Sequence, residues 1–356
     1  MLSLGDGGAS LQVRSGVELD AVLGKVQARG LDGEGTLCGD VLVLAPVPPT
    51  GGGEDALLTV SARGIRRHYR GALLVRITSG DRLLAVNEVD VEDYLRGVVP
   101  AEMSTAAPPE ALKAQAIVAR TYALRLRGRY RSDGFDLTDD TACQVYGGAD
   151  AETSASDAAV RDTAGVVLVR DHRLILSDYY DDCGGVTAEG DGPDDYPPSV
   201  RDAPPGGPDY CARGKYHTWD LRLTPDELRR MLAKAFPGQI SGAVEDVSVA
   251  DVDRSGRARS VAVRTGRSTL RIRGSQFRTA IGPGRLRSTL FTVAHAPDGA
   301  FLFTGRGYGH GHGMCQEGAE GMASNPYCMT HEQILQHYFP GAELAGDYGA
   351  KILAGE

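Results

Sequence analysis

Val91-Glu92-Asp93-Tyr94-Leu95-Arg96-Gly97-Val98-Val99-Pro100-Ala101-Glu102-Met103 is followed within a few residues by the helical run Leu112-Lys113-Ala114-Gln115-Ala116-Ile117-Val118-Ala119-Arg120-Thr121-Tyr122-Ala123-Leu124. Asp90 stands where a helix cap belongs, with Asp93 three residues on, and Gly97 is placed to end that short helix. Pro108-Pro109-Glu110 opens the second helix: proline suits a first turn, and an acid there meets the positive end of the dipole. Leu112, Ala116, Ala119, Ala123 and Leu126 recur at spacings of three and four, a narrow stripe of small residues that lets this helix lie close to a neighbour. The pair sets a lone carboxylate, Glu102, between a helix end and a proline-started helix.

Working outward, residues 72–78 and 82–89 read as strands joined through Ser79-Gly80-Asp81, a glycine-containing hairpin turn. Residues 166–169 and 174–180 read as a second hairpin turning at Asp171-His172 and ended by Gly184-Gly185. Thr224-Pro225-Asp226-Glu227 starts a helix that reaches about Phe236, with β-like runs at 244–252, 259–264 and 268–272 after it. A last helix covers 330–338 and stops at Pro340-Gly341. Residues 1 to about 70 are rich in glycine and short apolar runs, read as short strands with a loop at 46–53. Residues 190–214, dense in Pro, Gly and Asp, form a long loop. The expected fold class is α+β, with mixed sheets and short helices around a central cleft and a small inserted α+β lobe. The expected division is a β-rich region at 1–70, a core from 71–215 and 291–345, the lobe at 216–290 and a tail at 346–356.

The 356 residues accommodate about two domains. With 42% hydrophobic and 24% charged residues, the composition is that of an ordinary globular protein with a proper core. A net charge of −9 argues against nucleic acid as a partner. Two basic clusters run against that charge: Arg63, Arg66, Arg67, His68 and Arg70, and Arg120, Arg125, Arg127, Arg129 and Arg131. A solvated face is the ordinary reading of such a cluster; a groove for an anionic polymer is the other. No apolar run approaches the roughly 18 residues of a membrane-spanning helix, so no transmembrane segment is expected. Residues 1–11 lack both the basic start and the apolar stretch of a signal peptide.

Glu102 lies among Val98, Val99, Pro100, Ala101 and Met103, an apolar setting that raises a carboxylate's pKa by desolvation. A carboxyl protonated near neutral pH is what a general acid requires. A surface glutamate between two helices is the plainer alternative. The segment Gly305-Arg306-Gly307-Tyr308-Gly309-His310-Gly311-His312-Gly313-Met314-Cys315-Gln316-Glu317-Gly318-Ala319 is a flexible loop whose glycines allow close approach to a ligand. It is not a dinucleotide loop, because histidines occupy positions that must stay small and no βαβ unit frames it. His310 and His312 have no acidic or cysteine partner at metal-site spacing, so substrate contact is the expectation. His331 and His337 are six residues apart and cannot share a helical face as a zinc-protease pair does. No Gly-x-Ser-x-Gly elbow supports serine hydrolysis. Thr141-Ala142-Cys143-Gln144-Val145-Tyr146-Gly147-Gly148 and Tyr179-Tyr180-Asp181-Asp182-Cys183-Gly184-Gly185 are two cysteine-bearing turns. Packing or a disulfide is their default reading, and substrate contact by Gln144 and Tyr146 the sharper one.

The segments 92–103, 112–124, 143–148, 183–185 and 305–319, in that order, resemble the stage II sporulation protein D family, which includes LytB-type amidase enhancers. The resemblance covers residues 69 to 341 and the inserted lobe. It implies a peptidoglycan lytic transglycosylase that cuts the MurNAc–GlcNAc bond without water, with members acting in sporulation preferring peptide-stripped glycan. It places the catalytic glutamate on Glu102 and makes residues 71–215 and 291–345 the catalytic core. Because the sugar's own C6 hydroxyl is the nucleophile, the second carboxylate of a glycosidase is unnecessary. Gln115, Arg120, Gln144, Tyr146, His310 and Gln316 are the expected substrate-binding residues, with Arg120 suited to the lactyl carboxylate of MurNAc. The resemblance equally allows a non-catalytic glycan-binding activator of a cell-wall amidase, so glycan strands and other hydrolases or amidases are the implied partners. Peptidoglycan lies outside the cytoplasm, so the implied location is the cell envelope.

The chain departs from the family in two places. A zinc site described in the family uses a His-Cys pair where this chain has Ala142-Cys143. The family's Gly-His-Gly-Val-Gly-Met-Ser-Gln stands here as Gly309-His310-Gly311-His312-Gly313-Met314-Cys315-Gln316. No cofactor is required by this reading. Among the six cysteines, Cys143, Cys183 and Cys211 are expected to meet, as a disulfide plus one thiol or, ranked second, as a structural zinc site with His217 or another fourth ligand. Cys315 and Cys328 are a second expected pair.

Overall fold

The computed structural model describes residues 2–5, 10–13, 16–31, 33, 35–46, 57–62, 64–190, 196–346 and 348. Most of the loop read at 46–53, part of that at 190–214, Arg63 and nearly all of the tail therefore lie outside the described residues. The fold is α+β. Its helices among the described residues are α1 (Val91–Glu102), α2 (Pro109–Arg125), α3 (Ser154–Asp162), α4 (Pro225–Ala235), α5 (Gly274–Ile281), α6 (Gln316–Ala323) and α7 (His331–Tyr338). The chain divides into two compact units, Met1–Thr105 with Leu126–Ala164, and Ala106–Arg125 with Gly165–Glu356. The expected boundaries at 70, 215 and 290 fall inside these units rather than at their edges.

The first unit carries an antiparallel five-stranded sheet in the order Arg82–Glu88, Ala72–Thr78, Val41–Pro46, Leu2–Gly5, Ser10–Val13. The hairpin read around Ser79-Gly80-Asp81 is present, with Gly80 and Asp81 both at positive φ, as a tight hairpin turn demands. Val41–Pro46 pairs with Ala72–Thr78, Val41 opposite Arg76, so the N-terminal strands and the first hairpin form one sheet. A three-stranded sheet (Val17–Val22, Lys25–Gly30, Thr36–Gly39) and the hairpin Leu58–Ala62/Ile65–Tyr69 accompany it. Val26, Ala28, Leu42, Leu44, Leu58, Leu73 and Val75 form their common core.

Asp90 caps α1, its Oδ1 accepting from Glu92 N at 2.8 Å. Gly97 does not end that helix, contrary to the sequence expectation: α1 continues through Gly97 and Pro100 to Glu102. The reason lies in packing. A β-carbon at Gly97 would lie 2.6 Å from Tyr146 Cε2 and 2.8 Å from Gly148 O, so the glycine serves close approach rather than termination. Glu102 is consequently the last residue of a helix, not part of a linker.

In the second unit α2 begins at Pro109, as read, but the narrow stripe is too modest a description. Residues 114–123 are buried all round, polar ones included. The helix packs against α6, α7 and the strand Val167–Arg170, which makes it the axis of this unit. The lobe's elements appear where expected. The Thr224/Glu227 capping box starts α4, and Asp246–Val252, Ala258–Thr265 and Ser268–Arg273 form an antiparallel meander. Its core, including Trp219, Leu228, Val261, Phe277 and Phe303, runs past residue 290. This follows from Thr218–Leu223 pairing with Phe301–Arg306, which draws that later strand into the lobe.

Candidate functional site

Glu102 is half-buried at the end of α1, and its Oε1 accepts the backbone N–H of Val145 at 2.5 Å. The segment carrying Val145 is fastened to α1 a second time, where Gly147 N donates to Gly97 O at 3.0 Å. The flanking side chains complete the clamp. Tyr94 OH donates to Gln144 Oε1 at 3.5 Å, and the Tyr94 and Tyr146 rings lie 5.0 Å apart. Tyr146 OH donates to Asn87 Oδ1 at 3.1 Å, while Asn87 Nδ2 donates to Arg70 O and Ala72 O. Burial pushes the Tyr146 hydroxyl well above the usual phenol range, with Tyr69, Glu152 and Asp93 adding to it, so it stays a donor. Gln144 and Tyr146 are therefore brought beside Glu102, yet both are buried; they hold the carboxylate's support.

The basic cluster preceding this region is largely paired with acids of the same unit, and Arg70 is the member whose pair is well buried. Arg70 makes a bidentate pair with Glu152 (Nε–Oε1 2.6 Å, Nη2–Oε2 2.9 Å), and His68 meets Asp150 through its backbone N and Nδ1. Arg96 on α1 pairs with both Glu152 and Asp157. Only Arg66 of the described members is exposed.

The remaining expected residues belong to the second unit. Arg120 corrects its expectation: it is 0% exposed and donates from Nη1 to Val166 O at 3.1 Å, so the guanidinium fastens α2 within the fold rather than presenting a carboxylate partner to solvent. Gln115 is likewise buried, accepts from Gln316 Nε2 at 3.3 Å, and leaves its own Nε2 without a hydrogen-bond partner. His310 sits in a loop whose glycines 307, 309, 311 and 313 all have positive φ. At Gly313 a β-carbon would lie 2.0 Å from Asp178 O, which explains why the loop tolerates nothing larger there. His310 Nε2 donates to Tyr179 O at 3.0 Å and its Nδ1 accepts from His312 N at 3.1 Å. A carbonyl can only accept, so the ring is the neutral Nε2–H tautomer. The ring keeps solvent-accessible surface, yet protein surrounds it closely. That desolvation, with His312 adding, pushes its pKa down to about 3.

Sequence reasoning expected Cys183 and Cys211 to meet, as they do at 3.4 Å, but missed the rest of their group in this unit. Sγ of Cys183, Cys211 and Cys315 and a carboxylate oxygen of Asp182 all lie within 4.8 Å of one another, and all four residues are buried. The expected partnership of Cys143 with Cys183 and Cys211 is corrected in that Cys315 is the third sulfur; Cys143 belongs to the first unit and is not among these donors. Cys315 and Cys328 are both free thiols, so the expected second pair is absent. No spacing could have shown this: Cys183 and Cys315 are 132 residues apart and meet only because Tyr179–Tyr180 pairs in parallel with Met314–Cys315. Nearby acids were missed too. Burial, with Glu320, Asp181 and Asp182 adding, pushes Glu317 up to about 7, and burial with Asp182 pushes Asp181 up to about 6.

Residues 79–169 match the family model described as stage II sporulation protein, and residues 210–313 match a domain of unknown function, DUF8618. The chain is 32% identical over 284 residues to an uncharacterized protein of Brachyspira hyodysenteriae, covering 79% of this chain and 73% of that one. It is 29% identical over 293 residues to the amidase enhancer of Bacillus subtilis, which covers 70% of this chain but only 40% of the enhancer. Stage II sporulation protein D of Bacillus subtilis is 28% identical over 280 residues, 73% of this chain and 76% of that protein. The matched model spans α1, α2 and the Val145 segment, and the chain belongs to the stage II sporulation protein D family.

Proposed function

We propose that this chain is a lytic transglycosylase of peptidoglycan, cutting MurNAc–GlcNAc strands, in their peptide-stripped form, to 1,6-anhydroMurNAc ends. The observation that carries the reading is Glu102 at the terminus of α1, one carboxyl oxygen held by Val145 N–H, in the segment that resembles the family's catalytic one. Protonated Glu102 gives its proton to the glycosidic oxygen as the C1–O bond breaks. The carboxylate then takes the proton of the C6 hydroxyl while O6 bonds to C1. The proton count closes, no water is consumed, and one carboxyl performs both transfers. In the second unit, His310 and Gln316 are the groups proposed to contact glycan, with Gln115 beneath Gln316. Such a substrate lies outside the cytoplasm, so the reading places the chain at the cell envelope. Among the described residues no helix is long and apolar enough to cross a membrane.

The test is mass spectrometry of peptide-stripped glycan incubated with the purified chain. Wild type should release anhydro ends, and Glu102→Gln should lose about a hundredfold or more in rate while still binding glycan. Release by Glu102→Gln at the wild-type rate would remove Glu102 from the chemistry. The similarity to a protein named amidase enhancer favours a second reading, a non-catalytic glycan-binding activator of an amidase. It predicts no anhydro ends from the wild type alone and faster amidase turnover when the chain is added.

A further inference from the structure

We propose that Cys183, Cys211, Cys315 and Asp182 form a closed, tetrahedral structural site for one zinc ion in the second unit. The donor chemistry comes first. Three sulfurs and one carboxylate oxygen converge within 4.8 Å. A zinc with Zn–S bonds of about 2.3 Å sets tetrahedral donors roughly 3.8 Å apart, and Cys183 Sγ and Cys211 Sγ are 3.4 Å apart. The set needs only small side-chain adjustments. Thiolates exclude magnesium and calcium, which take oxygen donors.

The surroundings are arranged for anionic sulfur. Gly185 N donates to Cys183 Sγ at 3.3 Å, and Cys183 N and Gly318 N donate to Cys315 Sγ at 3.2 and 3.3 Å. His217 Nδ1 lies 3.5 Å from both Cys211 Sγ and Asp182 Oδ1, so the imidazole borders two residues of the set without belonging to the four donors. Neutral thiols are weak acceptors, so this number of N–H groups aimed at sulfur matches thiolates held by a cation. Cys315 also caps α6, whose N-terminus favours negative charge. The buried Arg257 donates to Cys183 O and Val186 O and brings a positive charge to the same turn.

A second observation points to a ligand. Asp182 is 1% exposed, and its Oδ2 has no hydrogen-bond partner, while Oδ1 accepts from Gly184 N at 2.7 Å. A buried carboxylate oxygen left bare costs several kcal/mol by ordinary desolvation, and a cation among the three sulfurs removes that penalty. A Cys183–Cys211 disulfide would use two of the sulfurs and leave Asp182 Oδ2 unsatisfied. With four protein donors no position remains for water, so the site is structural. It joins the turn after Tyr179–Tyr180, the segment around Cys211, and the residue that links the His310 loop to α6.

The experiment uses the full chain purified without added reductant. Metal analysis should find about one zinc per chain. Exchange for cobalt should give the intense visible bands and sulfur-to-metal charge transfer of a tetrahedral thiolate site. Cys211→Ser and Cys315→Ser should each lose the metal, and Cys38→Ser and Cys328→Ser should keep it. Asp182→Asn should shift the cobalt spectrum. The cobalt titration of the wild type needs no variant, so a variant that fails to fold leaves it decisive. Absence of stoichiometric zinc together with a Cys183–Cys211 disulfide, or six free thiols without metal, overturns the proposal. So does zinc retained by both Cys211→Ser and Cys315→Ser. Glu102→Gln should bind zinc as the wild type does, so failure of the transglycosylase reading and failure of this one are read separately.

Discussion

At Gly97 the space beside the helix is already filled by the Tyr146 ring and the Gly148 carbonyl, and its φ is not in the left-handed region. Alanine there gains up to about 1 kcal/mol of helix propensity but forces an overpacked contact costing about 1–3 kcal/mol. Gly97→Ala should therefore be net destabilising in urea unfolding; an unchanged midpoint would show that the Tyr146 contact yields freely. Glu110 offers a pH-dependent case. Burial raises its pKa, but the side-chain and backbone hydrogen bonds from His331, with Lys113, outweigh it and hold the carboxyl at about 2. Its Oε2 accepts from His331 Nδ1 at 2.6 Å and His331 N at 2.8 Å. A depressed carboxylate pKa means stability that is complete above the unfolded value of about 4.3. That stability is lost as pH falls toward 2. Glu110→Gln should flatten the acid limb of the stability profile between these values, and an unaltered limb would remove the pair from the account.

At the scale of elements, the surface of α2 decides more than its propensity. Thr121 Oγ1 donates to Ile117 O at 2.7 Å and accepts from Leu168 N at 2.9 Å, binding the helix to the strand Val167–Arg170. Thr121→Val keeps the shape and strands the buried Leu168 N–H, which should cost about 1–3 kcal/mol. A change below about 0.5 kcal/mol, the range of neutral surface substitutions, would contradict the assigned bond. Helices with strong caps were legible: Asp90, Pro108-Pro109, Thr224 and Thr330 mark α1, α2, α4 and α7. Those that were missed had weaker marks. α6 is capped by Cys315 and contains two glycines, and α5 has no side-chain cap. Only α3, with its Thr153/Ser156 box, carried a signal that could have been found.

At the scale of the molecule, each unit is closed by contacts between distant segments. In the first, Arg70 and Arg96 converge on Glu152. Arg70→Met leaves that carboxylate with fewer buried partners and should destabilise the unit by about 3 kcal/mol. Arg66→Met, at an exposed position, should change it by less than about 0.5 kcal/mol. Equal effects would mean the Arg70 pair contributes nothing. Sequence by itself determined the α+β class, the 72–88 hairpin and the main helix starts, because these rest on local turns and caps. Tertiary structure alone decided three matters. α1 runs through Gly97 because Tyr146, almost fifty residues later, occupies the space a side chain would take. Arg120 is a buried fastener rather than a substrate group because α2 is enclosed on every side. Cys315 joins Cys183 and Cys211 because a short parallel strand pair brings them together. Burial and long-range pairing are properties of the folded chain, and no local pattern encodes them.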